Sequence, residues 1–152
     1  ELETVAQGEK PKENSEKQPE YEIVSEKFPL EILLVEDNPI NQKVAQRILK
    51  KFGYTIDVSV NGVDALRKLE KKKYDIVFMD VQMPEMDGLE ATKKIKEKYR
   101  EDSPFIIAMT AAVMKGDREK CLDAGMVDYI PKPVVPEVVL NALKKYGNRA
   151  VG

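Results

Sequence analysis

The 152-residue chain contains no histidine. That absence removes phosphohistidine, an imidazole base and a histidine metal ligand from its chemistry. Any metal site must be built from carboxylates, which favours a hard cation such as Mg²⁺ (or Mn²⁺) over zinc. A single cysteine, Cys121, excludes an intrachain disulfide and makes a reducing, cytoplasmic setting the simpler expectation. No apolar run approaches the roughly 20 residues of a membrane span, and the acidic, polar first residues do not read as a signal peptide. The net charge of −2 offers no bulk attraction for nucleic acid. What is present, 42% hydrophobic and 34% charged residues, fits one globular domain with a real core.

Residues 1–29 differ from the rest. Eight glutamates, four lysines and Pro11, Pro19 and Pro29, with few large apolar side chains, read as a flexible acidic linker or disordered arm. The domain is expected over 30–147, followed by a short tail over 148–152. A first residue of Glu rather than Met is what a fragment of a longer protein would show.

From residue 30 the pattern alternates strand and helix. Leu30–Glu36 is a strand, and Asn38 caps a helix with Pro39 at its first position. Ile40, Val44, Ile48 and Phe52 follow at four-residue spacing, and Gly53 stops the helix. Thr55–Val60 alternates as a half-buried edge strand should. Asn61–Lys72 is a second helix with Val63, Leu66 and Leu69 inward, and Tyr74–Met79 is a continuous apolar strand covered on both faces. A loop over 83–88 leads to a third helix ending near Tyr99, with Leu89, Thr92 and Ile95 inward. Phe105–Met109, a helix over Val113–Ala124, the short strand Val127–Ile130 and a helix over Pro136–Tyr146 complete the series. Five strand–helix units call for a parallel sheet with right-handed crossovers. The alternating second strand and the short fifth belong at opposite edges, which favours the order 2-1-3-4-5, a flavodoxin-like doubly wound α/β sheet.

The chemistry collects where these strands end. Glu36 and Asp37 end the first, Asp80 the third and Thr110 the fourth, while Lys132 follows the fifth. Ligands of such sheets sit at the carboxyl ends of the strands, at the switch point between the first and third. Three crowded carboxylates repel, by about 4 kcal/mol per pair at 4 Å and an effective dielectric of 20. A divalent cation relieves this. Asp80 is the nucleophile candidate, whose attack on phosphorus gives an acyl phosphate. Mg²⁺, the Lys132 ammonium and the Thr110 hydroxyl are the electrophiles for the developing charge. Taken singly, Asp37, Asn38, Asp87 and Thr110 read as caps or turn residues, Lys132 as a solvated lysine and Tyr129 as core. The ordered arrangement, one group per strand end, carries the functional reading.

Residues 30–146, through the stretches LLVEDNPINQKVA, YDIVFMDVQMPEMDGLEAT, MTAAVMKGDREKCLDAGM and DYIPKP, strongly resemble the receiver domain of two-component response regulators. The match is most like receivers of hybrid histidine kinases. That resemblance implies Asp80 as phosphoacceptor, Asp37 as direct metal ligand, Glu36 acting through water, and the Gln82 backbone carbonyl completing the metal site. It implies Thr110 and Lys132 as phosphoryl contacts, Tyr129 as a switch aromatic, a cis Lys132–Pro133 peptide, and Gln82 and Ala112 as residues tuning phosphoryl lifetime. The chain would then catalyse its own aspartyl phosphorylation and slow dephosphorylation without a kinase core. The implied partner is a histidine kinase dimerisation domain or a histidine phosphotransfer protein. It would dock near the first helix at Asn41, Val44, Ala45 and Ile48, with no nucleic acid and no membrane contact. Two other functions fit less well. An aspartate-nucleophile hydrolase wants a second Asp where Gln82 stands, and a nucleotide-binding module wants a glycine-rich loop where Glu36-Asp37 stands. A degenerate receiver used only for docking would not need the full set of acids, Thr110 and Lys132.

Overall fold

The computed structural model describes residues 24–83, 86–111 and 115–151. Their elements are β1 (Ile32–Val35), α1 (Pro39–Lys51), β2 (Asp57–Ser59), α2 (Gly62–Lys71), β3 (Ile76–Asp80), α3 (Gly88–Tyr99), a 3₁₀ turn (Arg100–Asp102), β4 (Phe105–Thr110), α4 (Lys115–Ala124), β5 (Asp128–Pro131) and α5 (Pro136–Val151). All strand pairs are parallel, and the sheet runs β2-β1-β3-β4-β5, the order read from the edge character of β2 and β5. No described helix is long and apolar enough to cross a membrane.

The central strands are apolar throughout because helices cover both faces. Side chains alternate across the sheet, so Leu34, Phe78, Ile107 and Ile130 pack under α1 and α5 with Ile48, Leu49, Phe52, Val139, Leu143 and Tyr146. Leu33, Val35, Val77, Met79, Ile106 and Ala108 meet Ala65, Leu69, Ala91, Ile95 and Cys121 from α2, α3 and α4 on the other face.

Four details depart from the sequence reading. The stripe Ile40, Val44, Ile48, Phe52 does not stay on one face. Each four-residue step advances about 40° around a helix of 3.6 residues per turn, so Ile40 is 72% exposed while Ala45, Ile48 and Leu49 carry the buried side. In α2 the inward residues are Gly62, Ala65 and Leu69, and Val63 is exposed. The domain also begins earlier than residue 30: a helical turn over 24–27 precedes β1, and Val24 and Phe28 are buried in the α1–α5 core. At the other end α5 runs unbroken to Val151, through the expected tail. Residues 1–23 of the expected arm lie outside the described residues.

Gly88 opens α3 under the end of β3. A Cβ there would collide with the Asp80 carbonyl oxygen and come within 2.9 Å of Met79 Cγ and 3.0 Å of Val81 Cα. The Gly88 N–H also donates to the Val81 carbonyl at 2.9 Å. Gly88→Ala is therefore expected to destabilise the domain by about 1–3 kcal/mol, the usual cost of overpacking, measured by urea unfolding. Wild-type stability in that variant would remove Gly88 from the support of β3.

Candidate functional site

Two carboxylates leave adjacent strands at the same level. Val35 pairs with Met79 in the parallel register; Glu36 directly follows β1 and Asp80 is the last residue of β3. Both share the face of Leu34 and Phe78 and are almost fully buried, at 1% and 2% exposure. Asp37 follows Glu36 and is exposed. One carboxylate oxygen from each of Glu36, Asp37 and Asp80 lies within 4.8 Å of the others, a spacing that one cation can bridge.

The backbone around Glu36 is held firmly. Its N–H donates to the Ser59 carbonyl at 3.0 Å, and its own carbonyl accepts from the Gln42 side-chain amide at 2.6 Å. The Asn38 N–H donates to Glu36 Oε2 at 3.1 Å, while Asn38 Oδ1 caps α1 by accepting from the Ile40 and Asn41 amides. One turn thus orders the acid pair and starts the helix beside it. On β3, the Gln82 N–H donates to Asp80 Oδ1 at 3.2 Å.

Lys132 reaches in from the loop after β5. Its Nζ lies 2.9 Å from Asp80 Oδ1 and 3.0 Å from Glu36 Oε1. The Lys132 N–H donates to the Thr110 carbonyl at 2.9 Å, and the Lys132–Pro133 peptide is cis. Met109 pairs with Asp80, so Thr110, buried, stands one residue beyond the Asp80 level on β4. Tyr129 is half-buried on β5, with the Arg118 guanidinium carbon 5.3 Å from its ring centroid.

Burial is the largest influence on Asp80, and with the Glu36 charge it outweighs the opposing Lys132, pushing the carboxyl up to about 6. Burial works against the Lys132 charge as well, but Asp80 and Glu36 overcome it and hold the ammonium above its ordinary value. The donor set is all-oxygen, carries excess negative charge and includes one exposed acid. It fits a hard divalent cation and would suit zinc poorly.

The structure therefore brings Glu36, Asp37, Asp80 and Lys132 together, with Thr110 on the neighbouring strand. Tyr129 lies two strands away on β5, one residue before the Asp80 level, and Ala112 falls outside the described residues. Of the residues assigned to partner docking, Asn41 and Val44 are exposed, but Ala45 and Ile48 are buried against the sheet and cannot meet a partner directly. The sequence reading missed Gln42, Ser59 and Gly88, whose parts depend on contacts across elements. Asp87 is the simple cap it was read as, accepting from the Glu90 amide at 2.9 Å.

The family model for the response regulator receiver domain matches residues 32–144, and the chain belongs to that family. It is 42% identical over 134 residues to histidine protein kinase 1 of Candida albicans, covering 82% of this chain and 5% of that protein. It is 41% identical over 128 residues to hybrid signal transduction histidine kinase H of Dictyostelium discoideum, covering 82% of this chain and 9% of that protein. The chain thus spans less than a tenth of either relative. Among solved structures it resembles the receiver domain of sensor histidine kinase PA1611 from Pseudomonas aeruginosa, which holds a magnesium ion in its active-site cleft. The TM-score is 0.72 at 40% identity, over 78% of this chain and 98% of that one. It also resembles a chain of the complex between the Saccharomyces cerevisiae phosphotransfer protein Ypd1 and the receiver domain of Ssk1. There the TM-score is 0.74 at 29% identity, over 78% of this chain and 89% of that one. This is a receiver domain of the histidine kinase–response regulator phosphorelay.

The raised Asp80 carboxyl has a consequence for stability. It ionises near 3.8 ordinarily and near 6 in the fold, so the fold binds the proton more tightly. Stability is then lost as pH rises from about 4 to 6, and the deficit persists above that. Removing the charge should recover part of the roughly 3 kcal/mol this represents. In EDTA at pH 7, Asp80→Asn is expected to be more stable than wild type by about 1–3 kcal/mol, with the difference vanishing near pH 4. Thermal or urea unfolding across that range measures it. Equal stabilities at pH 7 would show that Asp80 is not destabilised by its surroundings.

Proposed function

We propose that Asp80 accepts a phosphoryl group from a phosphohistidine of a partner protein. The observation that carries this reading is the Lys132 ammonium, 2.9 Å from Asp80 and 3.0 Å from Glu36, at one end of one sheet. A carboxylate oxygen of Asp80 attacks phosphorus, the P–N bond breaks, and its electron pair leaves with the imidazole. The product is an aspartyl phosphate on Asp80.

Glu36, Asp37, Asp80 and the Gln82 backbone carbonyl would hold Mg²⁺, whose bound charge offsets that of the carboxylates and the transferring group. Lys132 begins as the shared partner of Glu36 and Asp80. When phosphoryl oxygens arrive, its ammonium has a better acceptor than a carboxylate and turns to them through charge-assisted bonds. The Thr110 hydroxyl, one residue beyond the Asp80 level, donates to the same group. Its movement leaves room for Tyr129 to turn inward, which passes the phosphorylation state to the outer face of β5. Gln82, two residues beyond Asp80, sets how readily water removes the phosphoryl group; Ala112, read for the same part, lies outside the described residues. Cytoplasm, where a buried free thiol such as Cys121 stays reduced, is the compartment this chemistry suits.

The partner is a histidine kinase dimerisation domain or a histidine phosphotransfer protein, as in the pairing named for Ypd1 and Ssk1. With Ala45 and Ile48 buried, the docking surface narrows to exposed Ile40, Asn41 and Val44. Beside them a small pocket of about 50 Å³, lined by Glu36, Asn41, Val44, Lys132, Pro133 and Val134 among others, opens next to the acids. An apolar helix edge laid there brings a phosphohistidine to Asp80.

Three outcomes test this. Acetyl phosphate with Mg²⁺ should label wild type at one site, mapped to Asp80 by mass spectrometry, while Asp80→Asn takes no label. Stoichiometric labelling of the variant would defeat the assignment. Lys132→Ala should keep Mg²⁺ binding near wild type yet leave Tyr129, followed by fluorotyrosine NMR, unresponsive to phosphorylation. Val44→Asp should slow transfer from a phosphohistidine protein at least tenfold while sparing labelling by acetyl phosphate. Equal slowing with both donors would place Val44 in the chemistry and not in docking.

A further inference from the structure

Residues 24–28 enter the domain at the amino ends of the strands, the pole away from the acids. Val24 and Phe28, four apart on one helical turn, are only 4% and 7% exposed, whereas Glu26 and Lys27 between them face solvent. The Phe28 N–H closes the turn on the Val24 carbonyl at 2.8 Å. The Ser25 N–H reaches the Phe52 carbonyl at 3.1 Å, at the end of α1. From the segment leading to β2, the Tyr54 hydroxyl donates to the Phe28 carbonyl at 2.6 Å and lies 3.3 Å from that of Val24. On α5, a Cβ at Gly147 would stand 3.1 Å from Phe28 Cγ and 3.2 Å from Leu30 Cδ1, so the helix is fitted closely to this turn. Two separate parts of the chain, the Phe52–Tyr54 stretch and α5, thus form a cradle, and its occupant is seated in it.

We propose that this pole is a docking surface for the chain that leads into the domain, with residues 24–28 as the docked segment and Tyr54 as its latch. The surface fits a helical turn with apolar residues four apart that offers two carbonyls to one hydroxyl. Burial pushes the Tyr54 hydroxyl up to about 12, so it remains a protonated donor at physiological pH. The incoming chain is therefore fixed to the domain and does not swivel at residue 30. Residues 24–28 are held at the pole opposite the acids, which leaves the α1 edge and the phosphoryl site open. None of the latch residues belongs to the acid site, so the inference is independent of the proposed phosphoryl chemistry.

Amide hydrogen exchange on the full chain, followed by NMR, tests it. The Ser25 and Phe28 amides are expected to exchange at least a hundredfold more slowly than in a free peptide. Tyr54→Phe, which removes one hydrogen bond, should accelerate those two about tenfold. It should leave the Val77, Phe78 and Met79 amides and acetyl phosphate labelling unchanged. Phe28→Ser should give the same local pattern. Free-peptide rates at Ser25 and Phe28 in wild type would overturn the proposal, because the surface would be unoccupied. Equal acceleration at Val77–Met79 in Tyr54→Phe would overturn it too, because Tyr54 would then support the whole core.

Discussion

The Lys132 ammonium, shared between Glu36 and Asp80, is the interaction on which the arrangement of the domain depends. Two carboxylates almost without solvent would repel strongly in so poor a dielectric. One cation from the far end of the chain holds them together. It does so incompletely, since Asp80 remains harder to ionise than an ordinary aspartate. That residual misfit has a chemical consequence: a site short of positive charge attracts a cation.

The sheet makes this meeting possible. Parallel strands deliver residues to one edge at matched levels, so Glu36 and Asp80 become neighbours through the Val35–Met79 register and not through sequence proximity. Backbone contacts then fix each acid. Ser59 and Gln42 hold Glu36, and Gly88 allows the start of α3 to press on the end of β3. Thr110 and Tyr129 sit on β4, inside the sheet, and on β5, at its edge.

Much of this was legible in the residue order. Continuous apolar runs identify strands covered on both faces, and the alternation of β2 with the brevity of β5 places them at the edges, which is enough to order the sheet. The acids at strand ends follow from the same pattern. Helix faces were less legible. A four-residue spacing looks like a stripe in Ile40, Val44, Ile48 and Phe52, but Ile40 and Val44 turn to solvent while Ile48 and Phe52 are buried, and Ala45 takes the buried place nearer the helix start. In α2 the buried places go to Gly62 and Ala65 and not to Val63, and a Cβ at Gly62 would stand 3.0 Å from the Met86 carbonyl oxygen and 3.1 Å from Ala91 Cβ of α3. The lead-in turn was hidden by composition. Glutamate, lysine and proline dominate residues 1–29, and the few large apolar residues there, Val24 and Phe28 among them, are a weak contrary signal.

The sequence by itself determined the alternation of strand and helix, the order of the sheet and the identities of the groups at its edge. Those depend on local apolar patterning and on which residue follows each strand, both properties of the linear chain. Tertiary structure alone decided that Lys132 bridges Glu36 and Asp80, that Ala45 and Ile48 are hidden from a partner, and that Tyr54 fastens residues 24–28. Each of these joins positions far apart in sequence or chooses one side of a helix over another. Distances across the sheet and the rotation of helices against it are set only when the whole core packs.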